Sequence, residues 1–345
     1  MTKRWLHRPP GSNWGDFGDD DEIGRLNLLN REKVLDGIAE VKVGTSFCLS
    51  LPLDYPGGNS VNPKRFPPQL RATRREGRPF YNLCWGEVIP GLTDVSSDDA
   101  VVLHNQYSTQ WDGLAHAGAL FDVDGDGRDE VVYYNGWRAG VDIQGPGDFD
   151  GEGCCGEAVQ AARLGVETMA AACVQGRGVL VDLHAHLGNG RSEVGYDLLM
   201  RIIEQDDVRI DRGDILLLHT GWAQLVVDMQ KEPDADRLHA SCAVLDAHDQ
   251  RLLQWISDTE LAAIAADNFA IEDARKALPR GYRGPRLPLH HLCLFKLGMP
   301  MGELWYLSEL AVWLRANRRN RFLLTAPPLR LTGAVGSPVT PIATV

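Results

Sequence analysis

The sequence predicts an α/β protein with a mixed sheet core and flanking helices. In its second half, short apolar runs alternate with segments of helical periodicity, the pattern of strands connected by helices. Of the 345 residues, 44% are hydrophobic and 24% are charged, as in ordinary soluble globular proteins. No repeat or linker-like tract divides the chain. We therefore expect a single domain over residues 1–345, with an N-terminal arm (about 1–40) and a long loop (about 56–80).

The order of the elements follows from the apolar pattern. We expect strands at 41–53, 100–104, 179–183, 213–222, 261–267, 299–306 and 322–331. We expect helices at 157–174, 198–204, 252–256, 290–297 and 307–316. The runs at 100–104 and 179–183 are expected to be buried, and the glycines at 176–178 to end the preceding helix. Pro327 and Pro328 place the last strand at a sheet edge.

Charge and cysteine content limit the partners and the location. The formal net charge of −12 argues against nucleic acid or an anionic membrane surface as a partner. No apolar run approaches the roughly 18 residues of a transmembrane helix, and the basic N-terminus lacks the apolar core of a secretory signal. The seven cysteines form no CxxC pair and mostly have apolar neighbours. They predict free, mostly buried thiols and a cytoplasmic location.

The segment Ser-Thr-Gln-Trp-Asp-Gly-Leu-Ala-His at 108–116 concentrates groups that bind metals and move protons. Alternate residues of a strand share a face. Gln106, Gln110 and Asp112 are therefore expected to face one pocket, with His116 just beyond and His104 upstream. A carboxylate and an amide oxygen suit manganese, magnesium or zinc. An Asp-Gly turn followed by a structural histidine explains the same residues, so the spacing alone leaves the metal site open.

A second group of candidate ligands lies near the C-terminus. His290 and His291 open a predicted helix, and Glu303 follows on a predicted strand, twelve residues after His291. A helix followed by a returning strand brings such side chains together. The alternative is that the two histidines cap or pack the helix.

A third group forms an acidic turn that matches the first half of a calcium-binding loop. Gly127 stands at the sharp turn, and Tyr133 replaces the glutamate expected at the twelfth position. Both a structural calcium site and a solvated acidic turn fit the pattern. The candidate ligands are Asp122, Asp124, Asp126 and Asp129.

Segment 106–116 resembles the signature HxGTHxDxPxH of the cyclase or kynurenine-formamidase-like metal-dependent hydrolases, a family that includes isatin hydrolase. Thr109, Asp112 and His116 coincide with it, whereas Gln106 and Gln110 replace its two metal-binding histidines. Leu114 replaces its proline. Further segments resemble the family in the same order, at 21–29, 213–222, 289–303 and 322–342.

The resemblance implies a swivelling β/β/α fold, a homodimer or homotetramer, and a divalent metal. Its metal ligands would be Gln110, Asp112, His291 and Glu303, with His116 as the general acid and base. Because amides are weaker and harder ligands than imidazoles, we expect one metal, with manganese favoured over zinc. The residues expected to lie next to the metal ligands or to contact the substrate are Gln106, His104, Trp111, His290 and Trp305.

The expected function is hydrolysis of a C–N or C–O acyl bond in a small cyclic or aryl substrate. Two alternatives remain at this stage. The replaced histidines fit a catalytically silent relative that binds a small molecule. A metal-dependent lyase or dehydratase would use the same ligands and the same histidine.

Overall fold

The computed structural model describes residues 4–148 and 158–345. Its strands, in chain order, are β1 Ser46–Cys48, β2 Gln69–Arg75, β3 Arg78–Phe80, β4 Leu83–Cys84, β5 Val95–Ser96, β6 Asp99–Val102, β7 Gln110–Asp112, β8 Ala119–Phe121, β9 Glu130–Val132, β10 Ile143–Gln144, β11 Gln160–Ala161, β12 Gln175–Asp182, β13 Ser192–Val194, β14 Ile215–His219, β15 Ala243–Leu245, β16 Ala263–Ala266, β17 Met301–Glu303, β18 Arg321–Thr325, β19 Gly336–Pro338 and β20 Ile342–Thr344.

The helices flank these strands. They are α1 Arg31–Ala39, α2 Val166–Ala171, α3 Leu183–Leu187, α4 Tyr196–Gln205, α5 Trp222–Asp228, α6 Ala235–His239, α7 Gln250–Asp258, α8 Pro288–His290 and α9 Ser308–Ala316. Short 3₁₀ turns occupy Gly24–Leu28, Trp85–Glu87 and Tyr134–Gly136, and a π-helical turn follows α8 at His291–Lys296. No helix in the described ranges is long and apolar enough to cross a membrane.

A nine-stranded mixed sheet organises the fold, in the order β1-β20-β18-β12-β14-β16-β17-β7-β19. Strands β12, β14, β16 and β17 run parallel, and the remaining pairings are antiparallel. Side chains of a strand alternate between the two faces of a sheet. Leu216 and Leu218 accordingly join the core on one face, and Ile215 and Leu217 the core on the other. Helices cover both faces, which explains why β14 reads as an unbroken apolar run.

The predicted mixed α/β architecture is confirmed, and most second-half elements lie where the pattern placed them. The helix predicted at 157–174 is shorter, because β11 occupies Gln160–Ala161 and only Val166–Ala171 is helical; its first residue, Glu157, lies outside the described residues. The glycines at 176 and 178 belong to β12 instead of ending a helix. A Cβ on Gly178 would lie 2.4 Å from a ring carbon of Phe322, its neighbour on β18, so the aromatic ring requires glycine there.

Three further expectations are wrong. The strand predicted at 100–104 is β6, and its residues are exposed in a separate small sheet with β2 and β3. The last long strand, β18, lies between β20 and β12, and the two prolines follow it, so it is not an edge. Of the described cysteines, three are exposed, and only Cys242 and Cys293 are buried.

Candidate metal centre

Two short neighbouring strands bring the first candidate ligands together. In the antiparallel pair β7–β17, Gln110 lies opposite Glu303, and Asp112 lies opposite Met301. Directly opposed residues project from the same face of a sheet, as do residues two apart on one strand. Gln110, Asp112 and Glu303 therefore project together, and all three are buried.

The histidine of the candidate site lies on helix α8. Pro288 begins this helix, and the backbone amides of Leu289 and His290 donate to the carboxylate of Glu272, at 3.2 and 2.9 Å. The same carboxylate lies 2.7 Å from His290 Nδ1. Glu272 thus fixes the backbone and the ring of His290 together and leaves Nε2 directed at the two carboxylates.

Asp112, His290 and Glu303 form a compact buried cluster. One potential ligand atom from each lies within 4.8 Å of the other two. His290 Nε2 is 3.4 Å from Glu303 Oε1 and 3.9 Å from Asp112 Oδ2. Two carboxylates and one imidazole at these distances can surround one divalent cation.

The electrostatics of the cluster reflect its burial. Burial raises the pKa of the Asp112 carboxyl, and the neighbouring Glu303 charge adds to this effect. Burial acts in the same direction on Glu303, but the hydrogen bond and charge of His290 outweigh it and lower the Glu303 pKa. For His290, burial alone would lower the pKa, whereas Glu272 and Glu303 together raise it to about 10. The carboxylates thus stabilise a positive charge within the cluster.

The side chain of Gln110 bears on whether the cluster can hold a cation. Its Nε2 donates to Asp112 Oδ1 at 3.2 Å and to Glu303 Oε2 at 3.3 Å. Its Oε1 is buried, and no described group hydrogen-bonds to it. An amide carries both a donor and an acceptor end. If the amide turned over, the unpartnered oxygen would lie where a cation between the carboxylates needs a fourth ligand.

His116 lies at the rim of the cluster. Its Nε2 is 3.7 Å from Asp112 Oδ1, and its side chain is 25% exposed, whereas that of Asp112 is 1% exposed. Its Nδ1 is 3.3 Å from the side-chain amide of Gln106. His116 is therefore close to the candidate ligands and open to a substrate, which are the two conditions for carrying a proton.

The structure brings together Gln110, Asp112 and Glu303 as predicted, but it places His290, and not His291, beside them. His291 packs against Phe295 at a ring distance of 4.9 Å and lies away from the carboxylates. Burial, with the charge of Lys296 adding to it, lowers the His291 pKa to about 4. Among the candidate ligands, His290 therefore takes the place of His291.

The two tryptophans and His104 do not surround the cluster. Trp111 and Trp305 are fully buried in the core on the opposite face, where their rings meet edge to face at 4.9 Å. They support the backbone, since Trp305 Nε1 donates to the Gln110 carbonyl at 3.1 Å. His104 is exposed and packs on Phe66.

The acidic turn forms a separate group. Asp122 and Asp124 come together with Glu130, which closes the group in place of Asp126 and Asp129. Arg138 lies 3.2 Å from Glu130 and 3.8 Å from Asp124, so part of the negative charge is already compensated. Calcium binding at this turn stays a prediction.

The sequence interpretation missed one residue that organises the site. Glu272 lies five residues beyond Asp267, the carboxylate that follows strand β16. Polar side chains beyond the carboxyl ends of parallel strands often line the site of an α/β sheet. Its position beyond the end of a parallel strand could have identified Glu272 as a candidate, but Glu272 belongs to no local sequence motif.

Comparisons with known proteins bear on the family and the fold of this chain. A family model described as "Putative cyclase" matches residues 49–273. The crystal structure of a novel cyclase is 29% identical, with a TM-score of 0.73, over 98% of this chain and 100% of that one. Isatin hydrolase A from Ralstonia solanacearum is 15% identical, with a TM-score of 0.52, over 87% of this chain and 91% of its own. Isatin hydrolase A from Labrenzia aggregata, bound to benzyl benzoate, is 14% identical, with a TM-score of 0.53, over 91% and 98%. At these identities, the likeness to the two hydrolases shows the fold alone. No curated protein matches the sequence.

Proposed function

The chain belongs to the cyclase family, and from this premise we propose that it is a metal-dependent hydrolase of small acyl substrates. The observation that carries the proposal is the buried cluster of Asp112, His290 and Glu303, with His116 at its rim. The substrates we propose are amides, cyclic amides or lactones of small cyclic or aryl compounds, which hydrolysis opens or cleaves at the acyl bond.

The residues fit one divalent metal ion. Asp112, His290 and Glu303 would hold it, and the unpartnered oxygen of Gln110 is available as a fourth ligand. Glu272 holds the second ring nitrogen of His290, an arrangement that typically accompanies a metal-binding histidine. Three oxygen ligands and one imidazole favour manganese over zinc. When bound, such a metal polarises an acyl carbonyl and increases the acidity of a water molecule.

His116 provides the proton transfer in this proposal. It would accept the proton of the attacking water and return it to the leaving nitrogen or oxygen. Gln106 suits both steps, because its amide oxygen can accept from Nδ1–H in the neutral and in the protonated ring, which leaves Nε2 as the nitrogen that gains and loses the proton. Gln106 would therefore keep His116 oriented through the change of its protonation state.

The test separates metal binding from proton transfer. Asp112→Asn should lose the metal measured by elemental analysis, since it removes one of two buried charges. His116→Gln should keep the metal and lose turnover of a lactone and anilide panel by a factor on the order of 10²–10⁴. His7→Gln, at an exposed histidine, is the control and should change neither.

Two results would overturn the proposal. Wild-type protein that binds none of the divalent metals offered would exclude a metal-dependent hydrolase and favour a silent binding protein. Products formed in ¹⁸O-labelled water without label in the new carboxylate would indicate a lyase or dehydratase instead.

A further inference from the structure

Hydrogen bonds hold the loop that carries Arg65 beside Gln106 and Tyr107. The backbone amide of Gly57 donates to the hydroxyl of Tyr107 at 3.0 Å, and that hydroxyl donates to the Gly58 carbonyl at 2.8 Å. Arg65 Nη1 donates to the Gln106 carbonyl at 2.5 Å. These contacts fix a segment that the sequence describes only as a loop rich in proline and glycine.

A small recess lies beside this loop. Arg65 and Gln106 provide its polar wall, and Val61, Tyr107, Phe269 and Leu304 provide its apolar wall. Two lining residues connect it to the cluster. The Gln106 side chain contacts His116, and Leu304 directly follows Glu303. With a volume of about 10 Å³, the recess admits a small polar group of a substrate and not a ring.

Within the described part of the chain, the charge of Arg65 is not paired with a carboxylate in direct contact. Across the described residues, no carboxylate lies within 4.0 Å of the Arg65 guanidinium.

We propose that Arg65 binds a carboxylate group that the substrate carries close to its scissile acyl bond. This assignment rests on the hydrolase function proposed above and narrows it to anionic acyl substrates. A guanidinium presents a planar fork of donors that matches a carboxylate in two parallel hydrogen bonds. With one of its nitrogens anchored on the Gln106 carbonyl, the group is already oriented, and its remaining donors are available.

The experiment compares two esters that differ by one carboxylate. Metal-loaded wild-type protein should hydrolyse monomethyl phthalate with a higher kcat/KM than methyl benzoate. Arg65→Gln should reduce that preference about 10- to 100-fold, mainly through KM, which is the usual range for a hydrogen bond to a charged group. Arg65→Lys keeps the charge without the fork and should retain part of the preference. Arg71→Gln, at an exposed arginine of strand β2, is the matched control and should retain all of it.

Binding without turnover separates this proposal from the hydrolase function. Benzoate should bind wild-type protein more tightly than neutral benzamide in a calorimetric titration, and Arg65→Gln should lose this difference. If the wild type shows no preference for the carboxylate in either assay, or if a folded Arg65→Gln protein keeps it, the assignment to Arg65 is overturned. If benzoate binds through Arg65 but neither ester is cleaved, the hydrolase proposal fails while the anion site stands.

Discussion

At the scale of single residues, the site depends on the direction in which each side chain points. His290 and His291 are adjacent, yet only His290 reaches the carboxylates, because Glu272 holds its backbone and its ring. Trp111 lies between two site residues, yet it projects into the opposite core. The two glutamines have separate environments: Gln110 lies within the carboxylate cluster, and Gln106 lies beside His116.

The role of Glu272 leads to a residue-scale prediction. Glu272→Gln should weaken metal affinity about 10- to 100-fold, because the amide no longer fixes the ring of His290 with a charged acceptor. Competition with a metal-sensitive chelator measures this affinity. Glu309→Gln, at an exposed glutamate of α9, is the control. Unchanged affinity in a folded Glu272→Gln protein would contradict the role given to Glu272.

At the scale of elements, the carboxyl ends of the parallel strands carry a second buried polar network. Asp182 ends β12 and His219 ends β14, and their side chains meet at 2.7 Å. Asp267 follows β16 and lies 3.9 Å from His219 Nε2. The network connects three neighbouring strands of the sheet, so it stabilises the end of the sheet from which the polar residues project.

The titration of this network gives a pH-dependent prediction. Burial alone would raise the Asp182 pKa, but its contacts with His219 and Arg315 outweigh this effect. Burial alone would lower the His219 pKa, but Asp182 and Asp267 outweigh this effect. The Asp182 pKa falls to about 2, and the His219 pKa rises above its usual value. The His219 contribution is complete below about pH 6.5 and is lost as pH rises through its raised pKa. The Asp182 contribution is present above about pH 4 and is lost as pH falls towards 2.

His219→Gln tests the sign of this effect. At pH 5.5 the variant should lose about 3–5 kcal/mol of unfolding free energy in urea, because one partner of a buried ion pair is removed. The difference from wild type should shrink as the pH rises through the raised pKa of His219. His186→Gln, in a more exposed pair with Asp206, should cost at most about 1 kcal/mol. A difference that grows with pH would contradict the assignment.

At the scale of the whole molecule, residues 62–106 form an extension in which no residue is buried. It contains the three-stranded sheet β3-β2-β6, with Leu70 and Val101 exposed by 72% and 47%. A sheet this small needs a covered apolar face to be stable. Strands β2 and β3 carry four arginines, in a chain whose net charge is −12. We propose that this extension packs against the acidic body of a second copy, so that the protein is a homodimer or homotetramer.

Light scattering with size-exclusion chromatography tests the assembly. Wild-type protein should have at least twice the monomer mass of 38.0 kDa, and Leu70→Asp with Val101→Asp should yield monomers, because charges replace the apolar contact. Val141→Asp, at an exposed valine outside the extension, should leave the mass unchanged. A monomeric wild type at micromolar concentration would contradict the proposal.

The sequence by itself determined the mixed α/β class, the buried strands of the second half and the resemblance to the cyclase family. It also predicted three of the residues that the structure brings together: Gln110, Asp112 and Glu303. These conclusions depend on local pattern, since apolar runs and motif spacing are properties of the chain alone. Only the tertiary structure decided between His290 and His291, because adjacent residues of a helix differ in direction by about 100° and the packing selects one. It also revealed Glu272 and Arg65, whose partners lie far away in the sequence and come close only when the sheet and its loops are assembled.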